Sequence, residues 1–546
     1  MNTKICILLL LLFNAFDAKA QSFQLRQEVL KEIAKKDYRP TFSVLAARLK
    51  TGIYQDQALR QLDTLLSREY GDMFWMYGCA GLYFSCKDIL PDNYKAKIRE
   101  CWKKYTPYRG DTENHFLMYY SSLYLLSEEW PDLPDSDWFM GKSSKEIHDE
   151  SASYLNFFIN RTVRFGQIEF DSPRYMYYYI TPLLLLNEYA QDTVVKRRCG
   201  MMVEFLLADY AAKYLNGSLC GSNSRVSNEA ALNPRSAEMT SYGEYFFNDS
   251  VTHIFPDVAF AAMASFSIPE IIKTIANNRA EPYVIEEIKR SREMIRYSSE
   301  LNKAVNMYSF MTKDFALGSF RGGLVQPIQQ RSWSLVLNSD HQNNIIFGLH
   351  PFVSKKELGM FFPEEPSFIL EKIDAVKHGY SSEDKWVGGS PYETIRQYKN
   401  QIECRYSIPK KERYSHVDIF IPGWGKFLPG DKIHGHDIRI QYDSCIVTIV
   451  ARTPYELKRE GENFRLRLSL VARKTSYYLS CSRLDEFNEF DDRTAMPAEK
   501  TYSVDKQNGE WLFRSKFLES KLGSAILKMK YGTNERILDF TTNTIR

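Results

Sequence analysis

An amide and an imidazole stand side by side at Asn114 and His115, in the run Thr112-Glu113-Asn114-His115 that opens a helical pattern. Near a helix N-terminus both side chains can donate hydrogen bonds to an anion, and the helix dipole assists. The structural alternative is Thr112 as an N-cap, with Asn114 and His115 satisfied by neighbouring backbone. A second run, Glu169-Phe170-Asp171-Ser172-Pro173-Arg174-Tyr175-Met176-Tyr177-Tyr178-Tyr179, carries four tyrosines within five positions. On a helix Tyr175, Tyr178 and Tyr179 share one face and Tyr177 points elsewhere. A tyrosine hydroxyl, with a reference pKa of about 10, acts as a base only with a cation beside it. Arg174 and Arg225 are the candidate cations, and aromatic packing between helices is the alternative role for the rings.

The third place is residues 216–257, a stretch with little amphipathic period that contains Arg225, Asn228, Arg235, Tyr242, Tyr245 and His253. A loop this long inside a compact domain is usually functional or disordered, and its aromatics argue against plain disorder. Other signals are weaker. His434-Gly435-His436, with His416, lacks a further ligand at a diagnostic spacing and reads as a solvated turn. Asp485, Glu486, Glu489, Asp491 and Asp492 lack the spacing of a calcium loop. The chain has no P-loop, no dinucleotide-binding glycine motif, no G-x-S-x-G and no H-E-x-x-H.

The elements that must position these residues come in two kinds. Helical patterns cover 24–36, 54–70, 93–105, 111–130, 143–164, 172–190, 193–215, 256–266, 270–277 and 284–298. In the longest of these, Val195, Cys199, Met202, Phe205, Leu206 and Tyr210 recur at three- and four-residue steps, one buried face. Asp192 and Ser172 stand where N-caps belong, the latter followed by Pro173. After about residue 305 the segments become short and β-branched or aromatic: 332–337, 344–349, 402–408, 416–421, 438–442, 445–451, 465–471 and 476–480. Turn pairs such as Pro422-Gly423, Pro429-Gly430 and Asn508-Gly509 separate them, which predicts an antiparallel sandwich. Helical hairpins in this number can close into an (α/α) toroid, or stack as a solenoid or irregular bundle.

The ends and the composition bound the rest. Lys4, the apolar run from Ile5 to Phe13 and Ala18-Lys19-Ala20 form a signal peptide, and the run is too short to be a permanent span. Removing 1–20 takes away Lys4, Lys19 and Asp17, so the net charge of +3 becomes +2. That balance and the scatter of basic residues do not suggest a nucleic-acid partner. No later stretch reads as a transmembrane segment. Eight cysteines remain without a C-x-x-C pair; Cys79 with Cys86 or Cys101, and Cys199 with Cys220, are possible bridges, and buried free thiols are favoured.

A leader, a helical domain and then a sandwich is the organisation of the heparinase II/III and alginate-lyase group of (α/α)-toroid polysaccharide lyases, which this chain resembles. Asn114-His115 is similar to the Asn-His pair that opens an inner helix in that group. Ser172-Pro173-Arg174-Tyr175 is similar to its small-Pro-x-Tyr element, whose tyrosine acts as base or acid. The resemblance in architecture covers most of the chain, while the specific match is under a dozen residues. It implies β-elimination on a uronic-acid glycan: Asn114 and His115 bind the uronate carboxylate, and Tyr175 moves the proton. Arg174, Tyr178, Arg225, Tyr242 and His253 are the expected substrate-binding residues. The group often carries a histidine and a structural zinc in its sandwich. His341 and His416 match neither pattern, so no metal and no cofactor is expected.

The expectation is therefore a signal peptide over 1–20, an (α/α) toroid over 21–303 and a β-sandwich over 304–546. The protein would be secreted or periplasmic after cleavage near Ala20, and its partner an acidic polysaccharide or oligosaccharide. A glycoside hydrolase on the same scaffold, using Glu113, Glu169 or Asp171, and a non-catalytic glycan-binding protein are the alternatives.

Overall fold

The computed structural model describes residues 23–110, 112–292, 303–326, 329–353, 382–429, 437–487 and 510–546. The leader, His434, His436 and the Asn508-Gly509 turn lie outside the described residues. Helices occupy the first half of the chain and antiparallel sheets the second. Among the described residues no helix is long and apolar enough to cross a membrane. By contacts the chain divides into two compact units: residues 1–159, 178–203 and 244–268, and residues 160–177, 204–243 and 269–546.

The first helices are α1 (23–35), α2 (Phe42–Thr51), α3 (Gln55–Leu66), α4 (Met73–Cys86), α5 (Asp92–Lys104) and α6 (Glu113–Glu129). They continue as α7 (Ser144–Phe165), α8 (Tyr177–Tyr189) and α9 (Thr193–Lys213), followed by α10 (Asn228–Leu232), α11 (Glu238–Phe247), α12 (Val258–Met263) and α13 (Glu270–Asn277). The first unit is built round α4, which packs against α2, α5, α6 and α12. Thirteen of its fourteen residues are buried, Phe74 being the exception. Such a helix has no polar face and no amphipathic period, which is why periodicity does not find it. Its glycines let neighbours close in. A Cβ at Gly78 would stand 2.7 Å from the Phe42 ring of α2, and one at Gly81 would stand 2.8 Å from Phe260 of α12. Asp72 starts α4 by accepting from the amides of Phe74 and Trp75.

Three other expectations are corrected. The helical pattern at 172–190 starts as a helix only at Tyr177; Ser172 caps a turn before it, its Oγ accepting from the Tyr175 amide at 2.9 Å. The stretch 216–257 is not one loop, because it holds α10, α11 and a 3₁₀ turn at Pro234–Ser236, each too short to show a period. The segment 284–298 is not a helix where it is described. Tyr283–Arg290 is a strand paired antiparallel with Ala304–Met311 and Trp511–Ser515, and its apolar residues bury on the sheet.

Among the described residues the second unit carries two large antiparallel sheets, besides a two-stranded ribbon of Tyr214–Leu215 and Ser218–Leu219. One has six strands in the order Glu393–Tyr398, Gln401–Ser407, Lys474–Arg483, Cys445–Ala451, Asp437–Tyr442, Lys426–Leu428. The other has thirteen, running from Tyr455–Glu460 through His416–Ile421, Trp333–Leu337 and Tyr283–Arg290 to Thr544–Ile545. Side chains from both sheets enter one apolar core: Leu317, Trp333 and Ile419 from the larger meet Ile402, Val447 and Tyr477 from the smaller. Trp333 Nε1 donates to Tyr477 Oη at 2.9 Å, so the polar ends of both rings are satisfied inside that core. The eight cysteines outside the leader stand as unbridged thiols, all buried except the half-buried Cys101.

Candidate functional site

In the first unit the candidate groups gather at the start of α6. Thr112 is extended and caps the helix, its Oγ1 accepting from the His115 amide at 3.4 Å. Asn114 is fully buried one residue before His115, which is half-buried. The His115 ring stands edge-on to Phe74, centroids 5.4 Å apart at 79°. Tyr178 packs against the same phenylalanine at 4.9 Å. The one residue of α4 that is not buried therefore separates the imidazole from a half-buried phenol. Gly110, at φ +85°, lies against His115: a Cβ there would run into the imidazole and the Met73 methyl. Glu113 is already engaged, its Oε2 accepting from Tyr179 Oη at 3.3 Å.

Phe74 and Tyr178 also face a cavity of about 360 Å³, within the range of small-ligand sites. Arg39, Arg68, Asp72 and Asp257 supply its charged groups, the Asp72 carboxylate being the one that caps α4. Arg39, Arg68 and Asp257 stand in no recognisable motif, so sequence reasoning has no signal for them. Phe74 is hidden in the apolar run of α4.

In the second unit the small-Pro-x-Tyr element is tied to the segment that carries Arg225. Ser172 Oγ donates to the Arg225 carbonyl at 3.2 Å, and Asn223 Nδ2 donates to the Asp171 carbonyl at 2.9 Å. Asp171 and Arg225 both hold left-handed backbone, at φ +46° and +53°, which places local strain on both sides of the junction. The Arg225 guanidinium lies 4.4 Å from the Tyr175 ring centre and 3.5 Å from the buried Glu169 carboxylate. Arg174 is largely exposed and pairs with Glu238 at 3.4 Å. Tyr242 is fully buried and stacked on Tyr177 at 5.5 Å, a packing position.

Asp171 leads into a sealed charge group. Lys213 Nζ lies 2.6 Å from Asp171, 2.8 Å from Asp209 and 2.8 Å from Glu287, all buried. Lys289 adds a second ammonium, bonded to Asp209 and 3.2 Å from Glu287. Burial drives the Asp171 carboxyl up, although Lys213 opposes the shift. Asp209 goes the other way, because the two lysines outweigh the same burial. Asp171, Asp209 and Glu287 are close enough to share a cation, and the Lys213 ammonium takes that role. Sequence carries a faint trace of this group: Asp209 and Lys213 are an i,i+4 charged pair on the apolar face of α9.

His253, in the first unit, is bound through Nδ1 to Glu244 at 2.9 Å, and Glu244 also accepts from the amides of Thr252 and His253. That carboxylate ties down a turn. In the sheets, His341 stacks on Trp424 at 4.5 Å and His416 lies 3.6 Å from Asp418. Asn114, His115, Tyr178 and His253 thus belong to the first unit; Arg174, Tyr175, Arg225 and Tyr242 belong to the second. Compared with known proteins, the chain matches no protein-family model and no curated protein.

Proposed function

We propose that this protein is a polysaccharide lyase that cleaves a uronic-acid glycan by β-elimination, with its helices arranged as an (α/α) toroid and its sheets as a sandwich. The observation that carries the reading is the assembly around Phe74, where His115, next to the buried Asn114, and Tyr178 pack on one ring. The core shared by both sheets supports the sandwich.

In this reaction the C5–H bond of the uronate breaks, a C4–C5 double bond forms and the C4–O bond to the leaving sugar breaks. The C5 proton becomes acidic only when the neighbouring carboxylate is neutralised. His115, which is half-buried, donates to that carboxylate and stabilises the charge that builds on it; Asn114 holds the same role by resemblance only, its side chain being fully buried. A tyrosine takes the C5 proton or returns one to the leaving oxygen. Tyr175 holds that role by resemblance, with the Arg225 cation on its ring face; Tyr178 is the tyrosine that shares a unit with Asn114 and His115. Side chains suffice for these steps. The signal peptide proposed for residues 1–20 would send the enzyme to the periplasm or the outside of the cell, where such polymers are met.

The test is the ultraviolet absorbance of the unsaturated uronate product during incubation with a panel of uronic-acid polysaccharides. A rise that disappears in Asn114→Ala and in one of Tyr175→Phe or Tyr178→Phe supports the reading and names the tyrosine. New reducing ends without the absorbance would replace it with hydrolysis.

A further inference from the structure

The cavity beside Phe74 combines three kinds of wall. Phe74, Trp75, Tyr77 and Tyr178 give it aromatic surface, and Trp75 is itself braced by stacking on Tyr105 at 4.0 Å. Arg39 and Arg68 supply two cations, both on exposed residues, and among the described residues neither makes an ion pair. Asp257 supplies an acceptor. Its carboxylate takes a hydrogen bond from Ser43 Oγ at 2.5 Å, and burial pushes its pKa up to about 6.

These walls match the parts of one acidic sugar. Aromatic faces stack on the C–H faces of a pyranose, a carboxylate oxygen accepts from ring hydroxyls, and arginine binds a carboxylate through paired N–H groups. Asp72 also lines the cavity, but its carboxylate accepts from the Phe74 and Trp75 amides. Among the described residues neither it nor Asp257 forms an ion pair with Arg39 or Arg68, so both guanidinium groups keep N–H donors that a ligand carboxylate can take. A neutral sugar would leave both cations unused.

We propose that this cavity is a subsite for a single uronate residue, its carboxylate on Arg39 and Arg68, its ring against Phe74 and Tyr178 and a hydroxyl on Asp257. The assignment rests on the lyase reading for the identity of the polymer, and on the cavity alone for the acid it selects. It makes Arg39 and Arg68 specificity determinants of a cavity that shares the Phe74 and Tyr178 rings with the His115 assembly.

The experiment is titration calorimetry of the full chain with tetrasaccharides of glucuronate, mannuronate and galacturonate, with cellotetraose as the neutral control and a sulfated galactose tetrasaccharide as the second anion. At least one uronate tetramer should bind, cellotetraose should not, and Arg39→Gln and Arg68→Gln should each weaken binding about tenfold or more. Both arginines are exposed, so thermal unfolding of the variants should match the parent. Equal binding of cellotetraose or of the sulfated tetramer, no binding of any uronate tetramer, or unchanged affinity in both variants would overturn the assignment. Uronate binding lost in the variants but without elimination in the parent would remove the lyase reading and keep the subsite. Elimination with KM unchanged in both variants would do the reverse.

Discussion

The Arg225 guanidinium lies 4.4 Å from the centre of the Tyr175 ring, and the Arg225 carbonyl accepts from Ser172 Oγ three residues earlier in the same turn. One residue thus fixes the backbone beneath the tyrosine and places a cation on its face. It also faces Glu169, whose carboxylate is fully buried. The two side chains should respond differently to substitution.

Tyr175→Phe keeps the ring on the guanidinium and should leave unfolding within about 1 kcal/mol of the parent. If Tyr175 is the proton carrier, turnover should fall by about 10²–10⁴-fold. Arg225→Met strips the buried Glu169 of its cation and should cost about 3 kcal/mol in urea unfolding. Unfolding and turnover of both variants together separate the catalytic role from the structural one.

Lys213 is the centre of the sealed charge group. Lys213→Met leaves Asp171, Asp209 and Glu287 facing one another with only Lys289 among them. A loss of about 3–5 kcal/mol in denaturant unfolding is expected, the usual cost of removing one partner of a buried ion pair. A loss under about 1 kcal/mol would mean that the group is hydrated.

Glu393 sets a pH dependence. It is buried beside Tyr406, whose hydroxyl donates to it at 2.5 Å, and burial raises its pKa from 4.5 to about 7. The folded chain keeps this proton up to about pH 7 while the unfolded chain releases it near 4.5, so stability falls as pH rises between those values. Glu393→Gln should match the parent near pH 4.5 and be more stable by about 3 kcal/mol above pH 7. His350 works in the opposite sense. Buried between Ser390 and the Tyr414 carbonyl, its pKa is lowered to about 4 by burial, so the stability linked to it is full above about 6.5 and lost on acidification. Unfolding curves across this range, with and without Glu393→Gln, check the sign.

Gly78→Ala tests the contact that seats α2 on α4. Alanine improves helix propensity by about 1 kcal/mol, but its methyl would stand 2.7 Å from a Phe42 ring that is itself packed on Trp75. Net destabilisation of about 1–2 kcal/mol is expected from thermal unfolding. The same variant should weaken uronate binding, since Gly78 and Phe42 both line the cavity.

What could be read from the sequence follows from how each element meets solvent. α13 begins at Pro269 and has a polar side, and α6, though buried from Leu117 to Ser127, begins at the recognisable Thr112 cap, so their starts show in the residue pattern. α4 is wrapped on every side and its sequence has no rhythm to read. Tyr283–Arg290 looks helical because Glu286, Glu287, Lys289 and Arg290 space like a solvated helix face, whereas Glu287 and Lys289 are in fact buried against Lys213 and Asp209. Partners distant in the chain decide that strand. The same holds for the site: Asn114, His115 and Tyr175 sit in short local patterns. Arg39 and Arg68 lie far from Asp257 in the chain and meet it only through the packing of α2, α4 and α12.

The thiols of the helical half are poor targets for oxidants, whereas in the sheets Cys445 is held below the usual thiol range by a hydrogen bond with Cys481. Burial lifts Cys86, Cys199 and Cys220 to about 12, so these sulfurs stay protonated and slow to exchange at neutral pH. Among the described residues no covalent staple has to be made in the right order. An oxidant added to the folded protein should therefore find its first target in the sheets, at Cys445, and leave Cys86, Cys199 and Cys220 untouched.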